Sequence, residues 1–304
     1  MMISRARFSA AVGAVPANLR GIGLMVLSGA LYAAMMTIIR WIAAEIHPVE
    51  QVFFRILFGL VAVLPFFLAG GLAGMRTTKF GHYGARALIQ GSAMAFFYLG
   101  LSLIPLAIAT TLSMTNAIFV SIGAVLVLRE TSVMGRWIAV LAGFAGTVIV
   151  INPDIEGINF GALVVVVSAA MYAGLQIHAK LLTRTEPIPH VIAWTLIIAV
   201  PFSLLAASFV WVWPSPEQFF WLVMIGVLGT AGNATMTRAF KIGEMVAVAP
   251  VWYVRLIWAA ILGYLLFAEV PATATWIGAA MIVGAGIYLS RLEVRRARAE
   301  RGKI

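Results

Sequence analysis

Long apolar runs, each interrupted by charges, prolines or glycines, recur from Gly21 almost to the C-terminus. Most approach the ~20 residues that an α-helix needs to cross a bilayer core. The pattern predicts helices over 21–43, 49–70, 84–103, 106–128 and 134–151. A second set is predicted over 159–182, 189–212, 217–237, 246–267 and 273–290. The expected fold is an all-α polytopic membrane protein of ten transmembrane helices. Composition agrees: 62% of the 304 residues are hydrophobic and 11% are charged, against the roughly 45–50% apolar share of soluble domains.

Charge placement supports the count. With both termini in the cytoplasm, all but three of the 21 Lys and Arg fall in cytoplasmic segments, from Arg5, Arg7 and Arg20 to the tail Arg291–Lys303. The exceptions are Arg40, on the outer side, and Arg55 and Arg255, inside predicted helices. One miscounted helix would have scrambled this sorting. The formal charge of +10 therefore reads as a topology signal and not as a nucleic-acid surface. The expected location is the bacterial inner membrane, multi-pass. Residues 1–20 read as an uncleaved cytoplasmic tail and 291–304 as a basic cytoplasmic tail.

The two sets of helices resemble each other. Gly21, Ser28, Tyr32 and Arg40 match Gly161, Ser168, Tyr172 and Lys180 at an offset of about 140, and Glu130 and Trp137 match Glu269 and Trp276 at 139. A duplication of five helices, an odd number, inserts the second copy upside down. The expected organisation is a first repeat over 21–151 and a second, inverted repeat over 157–290.

Ten helices in two halves, Pro48 and Arg55 opening the second helix, and Glu130 and Glu269 closing the fourth and ninth ahead of Trp-Ile resemble the drug/metabolite transporter superfamily, EamA type. The stretch APVWYVRLIWAAILGYLLFAE is similar to that family's ninth helix. The resemblance covers nearly the whole chain beyond the N-terminal tail. It implies a cavity between the halves, alternating access, and traffic of amino acids, nucleosides, vitamins or related metabolites.

An ionisable group at mid-membrane is costly, so each marks a functional position. Arg255, flanked by Trp252, Tyr253 and Trp258, is expected to clamp a carboxylate or phosphate while the rings stack on a planar or cationic part. Pairing with helix-end carbonyls is the plainer alternative. Its repeat counterpart at 139 is Asn116, in the polar run Thr110, Thr111, Ser113, Thr115. Tyr32, Tyr172 and Gln176 are expected on the same cavity, with Asn233, Thr230 and Thr237, and Gln90 and Tyr98, as weaker candidates. Arg55 is expected to be structural, snorkelling or holding the chain at Pro48. His178, within a predicted span, is expected to be a packing residue.

All 11 Asp and Glu map to loops or helix ends, which favours facilitated transport or exchange over carboxylate-based proton coupling. No phosphate loop for ATP hydrolysis occurs, and the absence of cysteine excludes thiol chemistry. No cofactor is expected. The predicted partners are a small-molecule substrate and membrane lipids, with the chain a monomer or weak homodimer. The small-residue stretches AVLAGFAGTVIV, WIGAAMIVGAGIY and GVLGTAGNAT are expected to pack within the chain, and Pro65 and Pro201 can kink their helices. The competing readings, a membrane-embedded lipid-modifying enzyme or a channel, require a catalytic cluster or a pore ring. Neither is visible in the sequence.

Overall fold

The structure, a computed structural model, describes residues 16–69, 77, 79–129, 134–151, 159–182, 186, 188–243 and 248–301. Readings that fall on 1–15, Arg76, Glu130, Arg184 and Lys303 lie outside these residues. All regular structure among them is helical: α1 (Ala17–Ile42), α2 (Pro48–Ala69), α3 (Phe80–Leu103), α4 (Leu106–Ser113), α5 (Asn116–Leu126), α6 (Met134–Ile151), α7 (Phe160–Leu182), α8 (Ile188–Ser208), α9 (Pro216–Ile242), a 3-10 turn (Ala249–Val254), α10 (Arg255–Phe267) and α11 (Thr273–Arg301).

Seven described stretches are long and apolar enough to cross a membrane: Ala17–Ile42, Pro48–Pro65, Leu106–Leu126, Phe160–Leu182, His190–Ser208, Pro216–Ile242 and Thr273–Leu292. Trp137–Ile151 and Val251–Phe267 are apolar but shorter. Helices that are apolar all round, with residues such as Leu126, Leu141 and Leu205 exposed on the outer surface, are suited to a lipid surrounding.

Three predicted helices differ in detail. The run 106–128 breaks at Met114–Thr115 into α4 and α5. Thr110, Thr111 and Thr115 each turn the hydroxyl back onto a carbonyl three or four residues earlier, a pattern that bends helices. The run 246–267 contains the 3-10 turn, with Pro250 near its start, before α10. The third difference is α11, which continues through the basic tail to Arg301. Its Arg-, Ala- and Glu-rich sequence retains helix propensity after apolarity ends.

The helices run alternately between two ends. At one, the Arg40 end, Arg40 forms an ion pair with Glu269 and donates to the Ile104 carbonyl. Ala268, at φ 54°, turns the chain after α10 so that the Glu269 amide reaches the Gly263 carbonyl. The Glu269 carboxylate then accepts from the Leu106 amide at 2.9 Å, capping α4. Glu269 thus both caps a helix and pairs with an arginine. Ser215 and Gln218 close a reciprocal capping box at the start of α9. At the opposite, Lys79 end, Glu186 meets Lys79 at 3.8 Å and accepts from the Tyr83 hydroxyl at 3.3 Å.

In lipid, apolar burial contributes little to helix association, which rests on close packing and buried polar ties. α6 and α11 cross where Gly146 meets Gly278: a methyl group on Gly146 would stand 2.8 Å from the Gly278 carbonyl oxygen, and one on Gly278 only 2.5 Å from that of Gly146. Ser28 Oγ donates to Gly232 O (2.8 Å), tying α1 to α9, and Ser168 Oγ donates to Ala93 O (2.7 Å), tying α7 to α3. Such ties are worth about 0.6–2 kcal/mol each.

Candidate functional site

A cavity of about 820 Å³ lies between α1, α2, α3, α7, α8, α9 and the two helix breaks, within the ~300–1,000 Å³ range of small-molecule sites. Both breaks contribute to it. The α4–α5 break presents Ser113 and Asn116, and the 3-10 turn leads into Trp252 and Arg255. Asn116 is the first residue of α5 and Arg255 the first of α10.

Arg255 lies in the wall with Cζ 4.6 Å from the centre of the Trp252 ring, a cation–π distance. Its Nη2 donates to Ser113 Oγ at 2.9 Å, and its Nε is buried with no partner among the described residues. Trp252 in turn meets Tyr32 edge-on, with centroids 5.3 Å apart and planes at 85°. On the α7 side, Gln176 Nε2 donates to Asn116 Oδ1 at 2.8 Å, and Asn116 Nδ2 donates to Ala169 O at 3.0 Å. Tyr172, Asn233 and Tyr98 complete the set, the Tyr98 hydroxyl being buried without a described partner.

Eight of the ten sequence-derived candidates thus face one cavity. Tyr253 and Trp258 are not among its lining residues. The 3-10 geometry carries Tyr253 toward α11, where the lack of a side chain at Gly286 makes room for its hydroxyl. Trp258, almost one turn into α10, buries its indole N–H away from any described acceptor.

Two cations on the wall were not expected there. Arg55, assigned a structural role near Pro48, lies on the cavity with its guanidinium against Gly229 of α9. Arg86, counted with the cytoplasmic charges although it falls just inside the helix predicted over 84–103, sits in the second turn of α3, and its Nη1 donates to Leu175 O at 2.7 Å. The signal for Arg55 was its presence inside an apolar run, and that for Arg86 its position two residues into the span predicted from 84. His82 and His190 fall in the first turns of α3 and α8. The His82 and His178 rings lie 5.7 Å apart, outside the cavity lining.

No described Asp or Glu lines the cavity, and among the described residues no group of three His, Asp or Glu converges to hold a metal ion. The chemistry on offer is three guanidinium groups, neutral amides and hydroxyls, and aromatic faces. Such a wall can bind an anionic group joined to a planar one.

The model of the EamA-like transporter family matches this chain twice, over residues 19–152 and 159–291. The chain belongs to the EamA-like transporter family. It is a multi-pass membrane transporter of small metabolites, not an enzyme, within the drug/metabolite transporter superfamily. A relative named as an S-adenosylmethionine uptake transporter, from Rickettsia felis, is 30% identical over 279 residues, covering 91% of this chain and 94% of its own. One named as a riboflavin transporter, from Rhizobium johnstonii, is 29% identical over 279 residues, covering 90% and 92%. A solved crystal structure superposes with a TM-score of 0.60 at 21% identity, over 92% of this transporter and 98% of its own chain, a likeness of fold.

Proposed function

We propose that this transporter is a ten-helix inner-membrane carrier built from two inverted five-helix repeats. It moves a small organic solute bearing an anionic group by alternating access, through facilitated transport or exchange. The observation that carries the reading is the cavity itself: Arg255 and Arg55 stand on its wall with no described carboxylate to neutralise them. A buried cation without a counter-charge is costly, and a solute that supplies the charge is bound by that deficit.

Several relationships support the duplication. The ties Ser28–Gly232 and Ser168–Ala93 exchange under the offsets of about 140 and 139, so α1 on α9 repeats as α7 on α3. Arg129 and Ala268, the two described non-glycine residues at positive φ, are also 139 apart. So are Asn116 and Arg255, which each open the helix after a break. Broken helices at the repeat interface are where carriers bind their cargo.

The cavity reaches within a turn of the Lys79 end, at Ala179 and Ile192, but stops more than a turn short of the Arg40 end, at Met36 and Tyr98. Arg20, Lys79, Arg129, Lys180, Arg238 and Lys241 gather at the Lys79 end, which by the positive-inside rule is cytoplasmic. The arrangement is an inward-facing one, closed outside by Arg40, Glu269 and the start of α4.

The test is uptake into proteoliposomes of metabolites that raise the melting temperature of the purified protein. Arg255→Ala should abolish uptake while the protein remains folded in detergent. Undiminished uptake by that variant would remove the proposed clamp.

A further inference from the structure

Arg255 is already engaged by Ser113 and Trp252, whereas Arg55 has no such partners. Among the described residues no hydrogen-bond acceptor or carboxylate pairs with its guanidinium. Glu45, Glu50, Glu186 and Glu269 are all engaged at the helix ends, by Gln218, by the Val212 amide, by Tyr83 and Lys79, and by Arg40 and the Leu106 amide respectively.

Packing sets the direction of Arg55. A snorkelling arginine would extend along α2 toward the membrane surface. Here the guanidinium instead lies across α9 in a slot opened by a glycine: a Cβ on Gly229 would stand 2.4 Å from Nε and 2.5 Å from Nη2. Arg55 and Arg255 both line the one cavity, so the two cations share one compartment, with Arg86 nearer its mouth. A neutral solute would leave both inner cations uncompensated when the cavity closes, and a monoanion would leave one.

We infer that Arg55 is a second anion-recognising residue and that the transported solute carries two negative charges, on a phosphate monoester or on two carboxylates. This rests on the carrier reading and specifies its cargo. Guanidinium forks match both groups in geometry, and a low-dielectric cleft lined by one sign of charge concentrates the opposite one.

The chain has no cysteine, so a single thiol can report the cavity's charge without knowledge of the cargo. Ala62 lines the cavity two turns beyond Arg55 on the same helix. In Ala62→Cys, the thiol is titrated with a sulfonate-bearing and with a trimethylammonium-bearing methanethiosulfonate, each rate being normalised to a small free thiol. The expected preference for the anionic reagent is about tenfold, and adding Arg55→Gln should reduce it several-fold. Arg55→Met replaces that variant if it fails to fold.

Millimolar phosphate and succinate are then compared as protectants at matched ionic strength. Stronger protection by phosphate identifies a phosphate monoester, and stronger protection by succinate identifies a dicarboxylate. Absence of charge preference, a preference that survives loss of Arg55, or protection by neither dianion would overturn the inference. The carrier reading is judged separately, by uptake and its loss in Arg255→Ala.

Discussion

Glu269 holds two elements with one carboxylate: it pairs with Arg40 at the end of α1 and accepts the Leu106 amide at the start of α4. Both side chains are mostly buried, so removing either leaves a charge without its partner. Glu269→Gln should therefore destabilise the protein by about 3 kcal/mol, and Arg40→Gln by a similar amount. Thermal unfolding in detergent should show a drop of several degrees for each, with the double variant falling less than the sum because the two share one interaction. Additive drops would mean that the pair is not coupled.

Arg255 binds by geometry as well as charge. One nitrogen is placed on Ser113 while the guanidinium carbon sits over the Trp252 ring, and an ammonium cannot do both. Arg255→Lys should therefore retain the charge and still lose most binding, whereas Trp252→Ala, which removes a contact of about 0.5–2 kcal/mol, should weaken binding by roughly 2- to 30-fold. Titration of a ligand identified by thermal shift distinguishes these outcomes. Wild-type affinity in Arg255→Lys would reduce the site to a simple positive potential.

Much of the site was legible because ionisable and amide groups are rare in an apolar chain: Arg255, Asn116, Tyr32 and Gln176 stood out by type alone. What hydropathy could not convey was direction. Tyr253 adjoins Trp252 in sequence, yet only Trp252 lines the cavity: in the 3-10 turn Trp252 shares a face with Arg255, three residues on, and Tyr253 stands a third of a turn away. The direction of Arg55 was hidden for a related reason: its depth was readable, but the slot that turns it inward is set by Gly229 on a distant helix. The break at Met114–Thr115 was concealed because hydroxyls bonding back to the chain, not proline or glycine, produce it.

The crossing of α6 and α11 offers a structural prediction independent of transport. At Gly146 an added methyl meets the backbone oxygen of Gly278 at 2.8 Å, and backbone cannot rotate aside as a side chain can. Gly146→Val should force the helices apart at a cost of about 1–3 kcal/mol, seen as lower yield and a lower melting temperature. Unchanged stability would show that α6 and α11 do not rely on this contact.

Gly229 is a contrasting case, because what an added methyl would strike is the mobile end of Arg55, 2.4 Å from its Nε. The side chain can yield where a backbone could not, and alanine favours helix over glycine by about 1 kcal/mol. Gly229→Ala should thus leave stability unchanged or slightly raised while expelling the guanidinium from its slot, and transport should fall with no loss of fold. Gly23→Ala, where nothing lies within 4 Å of the new methyl, gives the same helical gain without touching Arg55 and serves as the control. Melting temperature and uptake are measured on both variants. A parallel loss of stability and uptake in Gly229→Ala would assign the glycine to packing, whereas loss of uptake alone would place the position of the Arg55 guanidinium in the transport step.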